Sequence, residues 1–596
     1  MKADVVTATR STLVYMRRTL GLVYASSKTF TLLLGAFTFI GTLVPLAIAY
    51  VGKRIVDAVV AHSRENAIRA ILYELALVVV LALVQRGLGV VRALLGTRLG
   101  IDINLAILEK AIRLDLRYFE DAKFYDQLTR ARREASSRPV SLISESFQLV
   151  QSTLTLLGFA FILTRFSPWT VAVLLVATLP ATIAEMRYSK LAFRLRNWRA
   201  PESRKLMYLE YVVANDAHAK EIKLFGLGEM LLGRYKTLSE TIYRDEKSLG
   251  LRRASVAQAL SLFGTGAFYA AYISMGIAAA RGALTLGEMT LYILAFRQGQ
   301  QAFQSALGSI GSIYEHNLYL SNLFGYLDLE ATQEKPRALV APIEGDRAIR
   351  FEDVGFRYEG KDEWALRHVN LTIQNGESFA LVGENGAGKT TLIKLLTRLY
   401  SPTEGRILLD GRDLAEWPIE ALRARISVVF QDFNHYQLSL RENVGFGSID
   451  NLGDVARIER AIDEGGARTV ANEVKGGLEA QLGRWFEDGT ELSGGQWQKL
   501  ALARAFMREE ADIIVLDEPT AALDANAEHA VFSRFRTLAK GRTTIVISHR
   551  FPAVRMAEHI VVLEKGQVVE SGDHDTLVAK NGMYAKMFER QAEGYR

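Results

Sequence analysis

Nine consecutive residues, Gly383, Glu384, Asn385, Gly386, Ala387, Gly388, Lys389, Thr390 and Thr391, have the types and spacing to hold phosphate. Glycines let the backbone wrap until successive N–H groups point inward at phosphate oxygens, where a Cβ would obstruct. Lys389 can then reach a β- or γ-phosphate, and the Thr390 hydroxyl can ligate Mg²⁺. An apolar run from Ser378 to Val382 precedes the loop and a helical pattern from Leu392 to Leu399 follows it. That order, strand then loop then helix, adds the partial positive charge of a helix N-terminus at the same spot. A plain glycine-rich turn is the alternative, but the full pattern in this setting points to a bound nucleoside triphosphate.

Four further stretches could complete the chemistry. Ile513 to Leu516 is an apolar strand that ends in two acids, Asp517 and Glu518. Asp517 suits Mg²⁺, and Glu518 suits positioning and deprotonating an attacking water. Gln431 ends the strand Ile426 to Phe430 and could reach the metal or the water. His549 follows the strand Thr543 to Ile547, where its imidazole could contact a γ-phosphate. Either alone would be an ordinary polar strand end. Ser493, Gly494, Gly495 and Gln496 open a helix from Trp497 to Met507, a second anion-binding arrangement within one chain.

The elements that position these groups fall in one half of 596 residues, too long for a single domain. From Ala348 to the end, short β-rich runs alternate with helices, the texture of an α/β layered domain with a largely parallel sheet. The preceding stretch, 325–347, is a largely polar connector with two prolines. Residues 1–324 read as an all-α membrane domain. Apolar spans are expected at about 29–52, 70–91, 147–164, 169–184, 254–280 and 284–307, each near the length that crosses a bilayer. The segments after the second and fourth spans, Arg98 to Arg138 and Arg187 to Arg253, are long and basic. The positive-inside rule therefore places both termini, these loops and the α/β domain in the cytoplasm of a multi-pass inner-membrane protein. Helical spacing in the long loops predicts that spans two to five continue into the cytoplasm as rods.

A net charge of +6 is small for this length, and no nucleic-acid partner is expected. With no cysteine anywhere, disulfides, thiolate metal sites and a cysteine nucleophile are excluded. Arg297, Gln300, Gln301 and Gln304 recur at helical spacing on the sixth span. Arg297 lies roughly 16–20 Å below the outer boundary at 1.5 Å per residue, where polar groups face a bundle interior or a wet cavity. The face suits either a path for polar or peptide-like cargo or simply a water-filled cytoplasmic mouth. Aromatic residues in the loop tip Tyr118 to Asp126, with Phe119, Phe124 and Tyr125 as anchors, suggest docking on another protein surface.

Leu492-Ser493-Gly494-Gly495-Gln496, together with the phosphate loop, Gln431, Asp517-Glu518, Ala522-Leu523-Asp524 and His549 in that order, resembles the ATP-binding cassette (ABC) transporters. Six spans placed before the cassette resemble the exporter-type half-transporters, and the likeness covers nearly the whole chain. It implies a homodimer whose cassettes pack head to tail, so that Ser493 and Gly495 grip the γ-phosphate held by the partner's Lys389. It also implies that Tyr358 stacks on adenine and that Asp524 lies at the boundary between cassettes. The turns Phe119 to Asp126 and Asn215 to Lys223 match the helices that dock on the cassettes near Gln431. One stretch departs from the pattern: Trp485-Phe486-Glu487-Asp488-Gly489-Thr490-Glu491 stands where exporters usually show Gly-Glu-Arg-Gly, so the arginine is missing.

The resemblance implies an ATPase coupled to export of a peptide, lipid or amphipathic small molecule, and the glutamine face makes it loosely similar to bacteriocin and modified-peptide exporters. The alternatives are an exporter-fold importer of a metal chelate and a membrane-tethered ATPase in sensing or immunity.

Overall fold

A computed structural model of the chain describes residues 14, 17–121, 124, 128, 138–330, 347–519, 541–548 and 550–593. The chain forms two compact units, Met1–Ile112 with Ala122–Glu330, and Ala331–Arg596 with the short segment Arg113–Asp121. The first is helical: α1 (Lys28–Val60), α2 (Arg64–Ile112), α4 (Arg138–Thr164), α5 (Pro168–Trp198), α6 (Ala200–Ala214), α7 (Asp216–Leu224), α8 (Gly228–Ala280) and α9 (Leu286–Leu327). The helix α3 (Leu116–Glu120) belongs to the second unit, although the sequence assigned it to the membrane domain.

Local chemistry explains where these helices begin. Ser27 caps α1 by accepting from the Phe30 N–H, Asn215 caps α7 through Ala217, and Thr285 with Glu288 forms a reciprocal capping box on α9. Among the described residues, α1, α2, α4, α5 and α8 are long and apolar enough to cross a membrane. Helix α9, which holds the expected sixth span, is 42 residues long and is not among these five. Its polar residues lower its apolarity, as Arg297 and the glutamines suggest. Helices α2, α4, α5 and α8, which hold spans two to five, all run beyond the lengths of those expected spans, as the rod reading requires. Packing pairs α9 with α4, α2 with α1 and α8 with α5, and Phe159 and Leu163 of α4, Met275 of α8 and Phe296 of α9 share one core.

The second unit holds two sheets. Five strands match the sequence reading: β1 (Ile349–Phe356), β3 (Ser378–Val382), β6 (Ile426–Val429), β7 (Ile513–Asp517) and β8 (Thr543–Ile547). The other five are β2 (Leu366–Ile373), β4 (Glu404–Leu409), β5 (Arg412–Asp413), β9 (His559–Glu564) and β10 (Gln567–Gly572). One sheet has the order β10-β9-β3-β8-β7-β6 and is parallel except at the β10 edge. A separate four-stranded sheet, β2-β1-β4-β5, is antiparallel throughout, so the unit carries more than the single largely parallel sheet expected. Alternation along β2 and β4 is broken by exposed and charged residues, which hid them from a pattern reading. Phe379, Leu381, Leu392, Ile545 and Val561 form the core beneath the phosphate loop.

Candidate functional site

The loop between β3 and α10 (Lys389–Leu396) takes its shape from two glycines. Gly388 has φ +103°, and a Cβ there would lie 2.7 Å from the Ala365 carbonyl oxygen. At Gly383, φ +157°, a Cβ would lie 2.3 Å from the Leu563 carbonyl oxygen. Any other residue would have to move backbone, so the tight wrap is specific to glycine. Lys389 folds back under the loop and donates to the carbonyls of Gly383 and Glu384 at 2.7 and 3.1 Å. Burial lowers its pKa, and the charges of Glu518 and Asp517 pull the other way.

The two acids meet this loop across the sheet. Asp517 ends β7, almost wholly buried, and accepts from the Thr390 hydroxyl at 2.9 Å. Burial pushes its carboxyl up to about 6; the neighbouring Glu518 charge adds to this and the Thr390 bond opposes it. Glu518 follows in the left-handed region at φ +47°, a conformation that costs a non-glycine residue roughly 1–2 kcal/mol. Its N–H donates to Ile547 at the end of β8, and its carboxylate accepts from Gln431 Nε2 at 3.0 Å. Such strain at a carboxylate beside a phosphate loop is common where a side chain must be aimed.

These groups surround one cavity of about 510 Å³, with Tyr358, Lys389, Thr390, Thr391, Gln431 and Glu518 in its wall. Tyr358 donates to or accepts from the Thr391 hydroxyl at 3.1 Å and sits edge-on to Phe356 and Tyr400. Asn385, Gly386 and Gly388 also line the cavity, while Gly383, Glu384 and Ala387 shape the loop from behind. Trp364 and Lys361, from the β1–β2 connection, line it too and had no sequence signal beyond their nearness to Tyr358.

Ser493, Gly494, Gly495 and Gln496 do not line this cavity. They begin α11 (Gly494–Phe506), where the Ser493 hydroxyl accepts from the Gln496 N–H and the Gln496 side chain accepts from the Ser493 N–H. Gln498, unnoticed in the sequence, is buried and donates to the Pro519 carbonyl, tying this helix to the segment after Glu518. Asp524 and His549 lie outside the described residues.

Helix α3 is anchored through Glu120, whose carboxylate accepts from Lys394 at 2.8 Å and from the Tyr400 hydroxyl at 2.5 Å. Burial alone would raise this carboxyl, but those two bonds outweigh it and hold it below the usual range. The expected aromatic anchors behave differently: Phe119 is largely exposed, and Phe124 is buried in the membrane unit against Tyr326. Tyr125 lies outside the described residues. On the sixth span Arg297, Gln301 and Gln304 are exposed, whereas Gln300 packs over Gly264 of α8.

The family description "ABC transporter" matches residues 366–521. The subtilin transport ATP-binding protein of Bacillus subtilis is 32% identical over 594 residues, covering 97% of this chain and 94% of that protein. The nisin transport ATP-binding protein of Lactococcus lactis subsp. lactis is 28% identical, covering 97% and 96%. An ATP-dependent lipid A-core flippase of Thiobacillus denitrificans is 32% identical, covering 84% and 85%. A solved bacterial Atm1-family ABC exporter with ATP bound shares the fold at a TM-score of 0.75, with 24% identity over 95% of this chain and 98% of that one. The chain belongs to the ABC transporters, as an exporter half-transporter with a helical membrane domain fused to one ATP-binding cassette. It is an ATP-driven exporter with multiple membrane-spanning helices.

Proposed function

We propose that this protein is a homodimer that hydrolyses Mg-ATP to export a peptide across the cytoplasmic membrane by alternating access, its cassette and termini on the cytoplasmic side. The observation that carries the reading is the cavity itself. Its wall holds the phosphate loop, Gln431 and Glu518, with Asp517 bonded to Thr390 just behind it, yet the lining omits Ser493. A head-to-tail second copy would supply that half. The Ser493 hydroxyl accepts from Gln496 as a helix cap, which leaves its own hydrogen for a γ-phosphate.

In this mechanism the loop N–H groups and Lys389 hold the phosphates, and Tyr358 stacks on adenine. Glu518 orients and deprotonates water, held in place by Gln431 and by the strand-end backbone bond to Ile547. Thr390, Asp517 and the Gln431 amide oxygen form a hard oxygen donor set that fits Mg²⁺, and burial of the Asp517 charge favours a cation beside it. When bound, the ion neutralises charge on the β- and γ-phosphate oxygens. His549 contacts the γ-phosphate and Asp524 sits between cassettes, as in the family. Glu120 couples α3 to the cassette, and α7 reaches the partner's cassette.

A peptide cargo is favoured by the subtilin and nisin transport relatives, each matched over nearly its whole length. An amphipathic lipid is the second reading, favoured by the flippase relative. In inverted vesicles, wild-type protein with ATP is expected to accumulate a labelled amphipathic peptide. Movement of a labelled lipid but no peptide would transfer the assignment to the second reading. Glu518→Gln should still bind ATP and trap a closed dimer, with hydrolysis reduced about 10²–10⁴-fold; unaltered turnover would remove Glu518 from the catalytic role.

A further inference from the structure

Glu518 is held by its N–H, which donates to Ile547, and by its carboxylate, which accepts from Gln431. A further hold acts through the residue that follows. Pro519 is buried, and its carbonyl accepts from Nε2 of Gln498 on α11. The proline ring fixes φ, so a grip on the carbonyl leaves Pro519 little freedom. Glu518 is joined to it directly, at a strained φ of +47°.

The Gln498 amide makes no other hydrogen bond among the described residues. Its side chain is 1% exposed, and Oε1 has no partner. A methionine or leucine would fill this space without burying an unpaired acceptor, so packing does not account for an amide here. The bond to Pro519 does.

Helix α11 gives that bond its leverage. Ser493 caps the helix, and Gln498 lies five residues later, about 7–8 Å along the axis. Further on, Ala501 and Leu502 share one core with Val429 of β6 and Leu516 of β7. Those two strands lead into Gln431 and Glu518. One helix thus carries Ser493 at its start, grips Pro519 from its second turn, and rests on both strands that present the water-directing pair.

We propose that Gln498 is a positioning residue that ties the aim of Glu518 to the nucleotide held in the opposite site. In a head-to-tail dimer Ser493 engages the γ-phosphate on the partner's Lys389. Engagement fixes the start of α11, Gln498 passes the constraint to Pro519, and Glu518 of the same chain is set toward its own attacking water. Each site then turns over fastest when the other is filled. The inference rests on the homodimer reading above and names the residue that connects its two sites.

The test uses full-length mixed dimers in lipid discs, isolated through different tags on the two copies. One copy carries Glu518→Gln, which leaves hydrolysis to the site built on the other copy's phosphate loop and Glu518. In that live copy Ser493 serves only the silent site. Ser493→Ala in the live copy is nonetheless expected to lower kcat about five-fold, the worth of one hydrogen bond, with KM for ATP changed less than about two-fold. Gln498→Met, which keeps the side-chain length and removes the donor, is expected to lower kcat by the same factor. Adding Ser493→Ala to it should lower kcat no further, because the connection is already cut. Gln498→Leu is a second donor-free replacement with the same expectation. A merely structural role would lower the melting temperature and leave the Ser493→Ala effect at full size.

The inference is overturned if Ser493→Ala in the live copy has no effect, if the Gln498 variants keep wild-type kcat, or if the Ser493→Ala loss is undiminished in their background. Each of these leaves the homodimer reading standing. If the Glu518→Gln chain traps no ATP-bound dimer, both fall together.

Discussion

In the cassette unit Phe379, Leu381 and Ile545 are wholly withdrawn from solvent, whereas in the membrane unit Leu83 and Phe161 remain 67% and 64% exposed. The same residue types follow opposite rules because the two units meet different solvents. In water, burying apolar surface contributes about 25 cal/mol per Å². Against lipid chains that gain vanishes, and van der Waals packing, hydrogen bonds between helices and lipid entropy hold them together. The polar groups reverse as well. The cassette concentrates them at strand ends under a glycine loop, with Asp517 and Lys389 nearly buried. The membrane unit spreads them along helix faces around a cavity, as with Glu145, Glu185 and Arg253. The lesson is that exposure has no meaning until the surroundings are specified.

The sharpest way to break the comparison is one substitution made in both units. Leu381→Asp places a charge in a water-excluded sheet and should leave the cassette unfolded, read as loss of ATP binding and of cooperative melting. Leu83→Asp would be nearly neutral on a soluble protein but should cost about 3 kcal/mol at the centre of a bilayer span, read as a lower inserted fraction. Full insertion of the Leu83 variant would show that α2 faces water instead of lipid.

A smaller effect tests the buried acid. The Asp517 carboxyl is raised from 3.8 to about 6, so over that window the folded protein keeps a proton that the unfolded chain has released. Stability without nucleotide or metal therefore falls as pH rises from about 4 to 6 and is flat above it. Asp517→Asn should remove that slope and gain about 2–3 kcal/mol above pH 6, while losing Mg²⁺-dependent ATP binding. In the wild type, Mg²⁺ affinity should weaken as pH drops through about 6, because the ion competes with the proton. A pH-independent Mg²⁺ affinity between pH 5 and 8 would show that Asp517 is not a ligand.

The smallest expected effect is at Glu120. Its pair with Lys394 is partly exposed, so Glu120→Gln should change thermal stability by less than about 1 kcal/mol. Cargo-stimulated ATP hydrolysis should nonetheless fall several-fold, since α3 then loses its charged anchor. An unchanged stimulation would mean that the anchor lies elsewhere on the loop tip.

The phosphate loop, the paired acids and the helix-opening Ser493 were legible because each is a contiguous run whose local geometry follows from its own residues. Five of the apolar spans were legible for the same reason, since length and hydropathy are local properties. The antiparallel sheet was not, because β2 and β4 carry charges where a strand pattern would alternate. Nor was the anchor of α3, where aromatic residues drew attention and an acid between them makes the contact.

What the sequence by itself determined is the list of groups able to do chemistry and the solvent each half of the chain was built for. Only the tertiary structure decided which of them meet. Thr390 reaches Asp517, Gln431 reaches Glu518, and Glu145, Arg253 and Glu315 share one wall although they come from three helices. The physical reason is that spacing along the chain fixes dihedrals, hydrogen bonds and the face of a helix, while encounters between distant residues depend on how whole elements pack.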